Sequence, residues 1–191
     1  MLCTEARAGP GEPHCLPGSL AFRTPGGGNL KRIWAPWRMK YILSDKAQGC
    51  AFCEALRAGN DEAKFILYRG QKAFIILNTF PYTNGHAMVV PYAHTGDLVQ
   101  LDAETLAEMM LLTQKTLQAL RKAMNPNGFN VGLNLGEAAG AGIQEHVHIH
   151  IVPRWHNDTN FMPVFGDVRV IPEPLEDTYK KLQAALQQLE E

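Results

Sequence analysis

Residues 146–152 read His-Val-His-Ile-His-Ile-Val, a strict alternation of imidazole and aliphatic side chains. An extended strand sorts such an alternation onto two faces, because successive side chains of a strand point to opposite sides. A helix would scatter the same residues around its circumference. The spacing therefore predicts a strand over 146–152, ended by Pro153. His146, His148 and His150 lie on one face, and Val147, Ile149 and Ile151 enter the core on the other. Three imidazoles in a row are a poor choice for packing and have no special value for solubility. They point to metal binding, or to nucleophilic or acid–base catalysis.

Such a strand needs partners, and the chain offers four. Segments 65–69, 73–77, 86–91 and 129–135 are rich in Ile, Val and Phe and are separated by turn residues. The loop between the second and third is Asn78-Thr-Phe-Pro-Tyr-Thr-Asn-Gly85. One long helix is predicted over 102–124, with Asp102 as its N-cap and Asn125-Pro-Asn-Gly128 as its stop. Its buried stripe is read as Leu106, Met109, Met110, Thr113, Leu117, Leu120 and Met124, the methionines serving as core. A short helical stretch is expected at 54–58 and a surface helix at 174–190, apolar at Leu175, Tyr179, Leu182, Leu186 and Leu189. The fold class is α+β with a mostly antiparallel sheet. Between the last two strands lies Gly136-Glu-Ala-Ala-Gly-Ala-Gly142, a turn whose amides can approach an anion beside the imidazole row.

Composition bounds the rest. With 18 Lys+Arg against 19 Asp+Glu, the net charge of −1 excludes a protein acting mainly as a polycation on nucleic acid. No apolar run approaches the roughly 20 residues that cross a bilayer, and the N-terminus lacks the apolar core of a secretory signal, so no membrane partner and a cytoplasmic location are expected. The first 28 residues hold six Gly and four Pro without periodicity, and 1–29 is read as a disordered extension. Cys3, Cys15 and His14 receive no role there. The main domain is placed at 30–173 and a C-terminal helix at 174–191, packed on it. In the 31–43 arm, Trp34, Trp37 and Tyr41 stand beside Lys31, Arg32, Arg38 and Lys40. That composition suits either nucleotide stacking or a packed arm with a solvated basic face. Cys50-x-x-Cys53 has the spacing of half a zinc site, while a redox motif would need a thioredoxin-like βαβ pattern that is absent.

The run His146-Val-His148-Ile-His150-Ile-Val resembles the histidine triad motif, in which His alternates with apolar residues. The resemblance extends to 77–91 (LNTFPYTNGHAMVVP), 128–136 (GFNVGLNLG), 150–155 (HIVPRW) and the WAPWRMKYI arm. It is strongest to the bacterial branch of diadenosine tetraphosphate phosphorylases and covers about residues 31–172. It implies an antiparallel half-barrel sheet with one long helix, and an enzyme cleaving a nucleotide at the α-phosphate. His148 would be the nucleophile, forming a nucleotidyl-histidine. His150 would contact phosphate oxygens, and His86 would lie near the phosphates. Asn78 would bind ribose and Asn134 would steady the α-phosphate. Gly140, Gly142 and Gln144 fall in the 140–144 loop, whose amides would stabilise developing charge. Some members carry a Ser or Thr in that turn; Gly142-Ile-Gln-Glu145 has no hydroxyl.

The same resemblance implies a structural zinc site completed by His94 and His146 alongside Cys50 and Cys53. It also implies a homodimer or homotetramer and a small-molecule nucleotide as partner. Phosphorolysis and hydrolysis differ only in whether phosphate or water attacks the intermediate, and phosphate is the acceptor the branch favours. Nucleoside phosphoramidate hydrolysis needs the same core, and a non-catalytic nucleotide sensor remains a separate reading. A cupin-like metalloprotein fits poorly, since Pro153 and Arg154 stand where its Glu belongs. Trp155 and His156 stay open between a packing contact and stacking on a base.

Overall fold

The computed structural model describes residues 49–158 and 171–190. The extension over 1–29 and the 31–43 arm lie outside them. In chain order the elements are α1 (Ala51–Arg57), α2 (Asp61–Lys64), β1 (Ile66–Arg69), β2 (Ala73–Leu77), β3 (Ala87–Pro91), α3 (Ala103–Met124), β4 (Gly128–Gly132), β5 (Ile149–Arg154) and α4 (Leu175–Gln187). Five strands form one open antiparallel sheet in the order β1-β2-β3-β5-β4.

The centre of the sheet is covered on both faces, which is why every residue of β2 and β3 is buried. Ala73, Ile75, Leu77, Ala87, Val89, Ile149 and Ile151 share a core with α3 and with Tyr179, Leu182, Ala185 and Leu186 of α4. The alternate residues Phe74, Ile76, Met88 and Val90 form a second cluster with Cys50, Phe52 and Ala55 at α1. Val147 joins the first core, as its place in the alternation predicts.

Several boundaries move, each for a local reason. Hydrogen-bonded pairing of β5 begins at Ile149 rather than at 146. Before it, Val147 donates its amide to the Thr95 carbonyl at 2.7 Å, so the chain pairs with the segment after β3 while its side chains still alternate. β4 stops at Gly132, opposite His150, instead of running to 135. Helix α1 starts directly after Cys50, earlier than 54–58, and carries Cys53 within its first turn. The short helix α2 adds to the expected elements; Asn60 caps it by accepting from the Ala63 amide at 3.0 Å. Phe65 adopts a left-handed φ of 59° to close that helix, so β1 begins one residue later than expected.

Helix α3 lies where predicted, and of its expected stripe Met109, Thr113 and Leu120 are buried while Leu106, Leu117 and Met124 pack partly buried against the core. Thr105, Met109, Leu112, Thr113, Thr116, Ala119 and Leu120 are buried, whereas Met110 and Leu111 are exposed. Met110 is therefore not core. Thr113 and Thr116 can face the interior because their hydroxyls donate back to the Met109 and Leu112 carbonyls at 2.8 and 2.7 Å. Asp102 caps the helix, accepting from the Thr105 amide at 2.7 Å. Asp102→Ala is expected to cost about 1 kcal/mol. In a chain of this size that lowers the thermal midpoint by about 2–4 °C by calorimetry, and an unchanged midpoint would contradict the cap.

In α4, Leu182 and Leu186 are buried as expected while Leu189, past the helix end, is exposed. No helix among the described residues is long and apolar enough to cross a membrane.

Candidate active site and metal centre

The imidazole row lies on the sheet face shared with α1. His150 pairs with Met88 across the ladder, and Phe52 of α1 stands 5.4 Å from the His146 ring and 5.0 Å from that of His148. Burial follows: His146 and His148 are inaccessible or nearly so, at 0% and 5% exposed, while His150 is half-buried. Such depth is costly for an imidazole unless each ring nitrogen has a defined partner.

The hydrogen bonds assign the protons. His148 Nδ1 lies 2.8 Å from the His146 carbonyl, and only a protonated Nδ1 can donate there. In the neutral ring this leaves the lone pair on Nε2. Burial pushes the His148 pKa down, against the opposing pull of that carbonyl, so the neutral, nucleophilic form is favoured. His86 is buried as well, at 1% exposed. Its Nδ1 accepts from the Tyr82 amide at 3.1 Å, and the Asn78 amide nitrogen lies 3.3 Å away. His86 Nε2 therefore carries the proton and donates to His150 Nδ1 at 3.0 Å. That in turn puts the His150 proton on Nε2. One nucleophilic nitrogen and one N–H donor thus stand on neighbouring rings whose centroids are 4.6 Å apart.

A second cluster sits at the other end of the row. Cys50, Cys53, His94 and His146 bring one ligand atom each within 4.8 Å of one another. His146 Nε2 donates to the Pro91 carbonyl at 2.8 Å, which leaves Nδ1 with its lone pair toward the cluster. Nδ1 lies 3.2 Å from Cys50 Sγ, 3.7 Å from Cys53 Sγ and 3.3 Å from His94 Nδ1, and Cys53 Sγ is 3.4 Å from His94 Nδ1. Ligands about 2.0 Å (N) and 2.3 Å (S) from a tetrahedral zinc stand about 3.3 Å (N–N) to 3.8 Å (S–S) apart. The four residues fit that group in donor type, spacing and tautomer. Burial raises the Cys50 thiol and lowers His146, so without a cation the neutral forms are favoured there.

The remaining predicted residues are placed as follows. Asn78 accepts from the Phe80 amide at 2.8 Å and thereby closes its own turn. Asn134 is half-buried, two residues beyond the Gly132–His150 pair, on the extension of β4 toward the level of His148. In the glycine loop, the amides of Gly140 and Ala141 bind the Glu137 and Gly136 carbonyls at 2.8 and 3.2 Å. They are engaged inside the turn, contrary to the expectation that the whole 140–144 run presents them to an anion; Gly142, Ile143 and Gln144 remain for that part. Gln144 is exposed. Its carbonyl passes so close over Gly96 that a Cβ there would collide with it, which keeps the loop against the end of the 91–96 segment. Trp155 is half-buried and His156 exposed.

A family model described as the HIT domain matches residues 60–157. The chain belongs to the HIT family. Over 162 residues it is 40% identical to the AP-4-A phosphorylase of Mycobacterium tuberculosis, spanning 80% of this chain and 83% of that one. A Zn-bound histidine triad family protein from Mycobacterium smegmatis superposes with a TM-score of 0.61 at 30% identity, covering 74% of this chain and 96% of the other. A HIT-like protein from Bartonella henselae gives a TM-score of 0.59 at 25% identity, covering 73% and 97%. With an enzyme matched over most of both chains, the protein is a HIT-type enzyme.

This HIT protein also uses groups that residue type alone did not mark. The Tyr82 backbone amide sets the His86 tautomer, and the Tyr82 ring stacks on His86 at 4.8 Å. The Pro91 carbonyl sets that of His146. Backbone atoms carry no sequence signature. Phe52, the lid over the inner imidazoles, could have been found from its place between Cys50 and Cys53, had α1 been phased one turn earlier.

Proposed function

We propose that this enzyme cleaves dinucleoside polyphosphates, diadenosine tetraphosphate among them, at the α-phosphate through a nucleotidyl-histidine, with inorganic phosphate as the acceptor. The observation that carries the reading is the pair of complementary tautomers, His148 with its lone pair on Nε2 beside His150 with its proton on Nε2. The likeness to a protein named AP-4-A phosphorylase supports the substrate class.

In the first step the His148 Nε2 lone pair forms a bond to Pα while the bond from Pα to the bridging oxygen breaks. The His150 Nε2–H donates to that oxygen, so the leaving nucleotide departs with less charge. His86 hands no proton to substrate; it holds His150 in the donating tautomer. Amides of Gly142, Ile143 and Gln144, with Asn134, receive the equatorial oxygens, and Asn78 meets the ribose. In the second step a phosphate oxygen attacks Pα and His148 leaves as the neutral imidazole. One hard displacement becomes two easier ones. Cys50, Cys53, His94 and His146 would hold a zinc ion, which when bound ties α1 to the start of the catalytic strand. The partner is a small nucleotide, and assembly as a homodimer or homotetramer in the cytoplasm accompanies this reading.

Chromatography of products from diadenosine tetraphosphate tests it. ATP plus ADP, appearing only with added phosphate, is the expected result. ATP plus AMP irrespective of phosphate would make water the acceptor. No cleavage under either condition would overturn the substrate assignment.

A further inference from the structure

The loop between β2 and β3 carries Asn78, Tyr82 and the approach to His86, and its far side is held by residues beyond the 60–157 match to the family model. Asn84 is the contact. Its Nδ2 donates to Glu173 Oε2 at 3.1 Å, and its Oδ1 lies 3.0 Å from the Thr178 hydroxyl. The Thr178 hydroxyl also lies 2.8 Å from Glu173 Oε2. Thr178 is fully buried in the first turn of α4, and Lys181 pairs with the other Glu173 oxygen. The Lys181 ammonium and the Thr178 and Asn84 donors hold the Glu173 carboxyl below its ordinary range.

On the other side of Asn84 the loop has little freedom. Thr83 Oγ1 donates to the Pro153 carbonyl of β5 at 2.8 Å, and the His86 amide returns to the Thr83 carbonyl at 3.2 Å. Gly85 takes a φ of 76°, and a Cβ there would come within 2.7 Å of Met124 Sδ. Asn84 is thus the loop's tie to α4, two residues from the Tyr82 amide that fixes the His86 proton.

We infer that Glu173 is a positioning residue for the active site: through Asn84 it holds the 78–86 loop so that the Tyr82 amide keeps His86, and through it His150, in the tautomer that donates to the leaving oxygen. The inference rests on the reading of His150 given above. Its route runs from the carboxylate to Asn84, along two residues of backbone to the Tyr82 N–H, and then across two imidazoles. Glu173 touches no reacting atom. What it supplies is the acceptor oxygen; the ion pair with Lys181 stands on the solvent side and is not needed for the loop.

The test combines imidazole ¹⁵N NMR of the full-length protein with steady-state kinetics. Glu173→Ala is expected to shift the His86 and His150 ring nitrogens away from the Nε2–H pattern. It is expected to lower kcat by about 10- to 100-fold, the scale of a small misplacement remote from the reacting atoms, with KM changed by less than about threefold. Asn84→Ala should do the same, and the double variant should be no worse than either alone, since both break one link. Glu173→Gln keeps an acceptor oxygen and should restore most of kcat, while Lys181→Met should leave kcat unchanged. Unmoved His86 and His150 signals in Glu173→Ala would overturn the inference, as would additive losses in the double variant. So would a loss in Lys181→Met equal to that in Glu173→Ala. The NMR readout requires no substrate, so it decides the positioning role even if wild-type protein fails to cleave diadenosine tetraphosphate.

Discussion

Replacing His148 with Ala is expected to reduce turnover of diadenosine tetraphosphate by at least about 10³-fold, a loss of about 4 kcal/mol of transition-state stabilisation. Three features set that size. The side chain is buried against Phe52, its Nδ1 is fixed on the His146 carbonyl, and the row offers no second imidazole in the same state. His150 is committed as a donor by the bond from His86 Nε2, and His146 donates its own Nε2–H to Pro91. Neither neighbour can supply the missing lone pair at the same point. Nucleotide affinity should change little, because the phosphate contacts assigned to the glycine loop and His150 remain. Because Ala leaves a cavity beside Phe52, His148→Gln serves as the volume-matched partner and should be as inactive while melting close to wild type. Rapid mixing followed by an alkaline quench, which spares a phosphoramidate, should show an adenylate adduct on the peptide carrying His148 in wild type and none in either variant. Turnover within tenfold of wild type, or an adduct on another residue, would refute the nucleophile.

The parts of this site legible in the sequence are those encoded by side-chain alternation. The period of two from His146 to Ile151 places three imidazoles opposite three aliphatic residues, and the structure keeps that partition even where ladder pairing has not begun. Asp102 at the start of α3 was legible for the same kind of reason, a short acceptor ahead of a periodic run. What escaped was decided by backbone atoms and by compensation. One member of the α3 stripe departs: Met110 is exposed, while Thr116, polar in type, satisfies its hydroxyl within the helix and enters the core beside Thr113. The glycine loop read as a row of donors, but a turn that tight uses two of its own amides to hold its shape. Likewise the tautomers of His86, His146 and His148 depend on the Tyr82 amide, which any residue but proline would provide, and on the carbonyls of Pro91 and His146, which any residue would. Distant ties such as Asn84 to Glu173, 89 positions apart, leave no local pattern at all.

Cys50→Ser is expected to abolish stoichiometric zinc binding, from about one ion per chain in the wild type to less than about one tenth, since the fourth ligand of a tetrahedral structural site has no replacement. The buried half of the cluster is Cys50 and His146; the other half, Cys53 and His94, is partly or fully exposed. Serine at position 50 would leave a hydroxyl among an imidazole and the Phe52 ring, a weak ligand in a place too enclosed for a water to substitute freely. The thermal midpoint should fall by about 10 °C. That figure follows from about 4 kcal/mol of linkage for an ion held at 1,000 times its dissociation constant, spread over a chain that shifts about 2–4 °C per kcal/mol. Wild-type protein stripped with a chelator should melt at the same lowered temperature, and added chelator should then have no effect on the variant. Activity separates a structural ion from a catalytic one. His146 joins both clusters, its Nδ1 facing the Cys50 sulfur on one side and its carbonyl presented to His148 on the other. Loss of the ion should therefore loosen the nucleophile without removing it, leaving Cys50→Ser well above His148→Ala in turnover at temperatures where both are folded. Unchanged zinc by elemental analysis would remove the metal assignment, and turnover as low as that of His148→Ala would place the ion in the chemistry instead of beneath it.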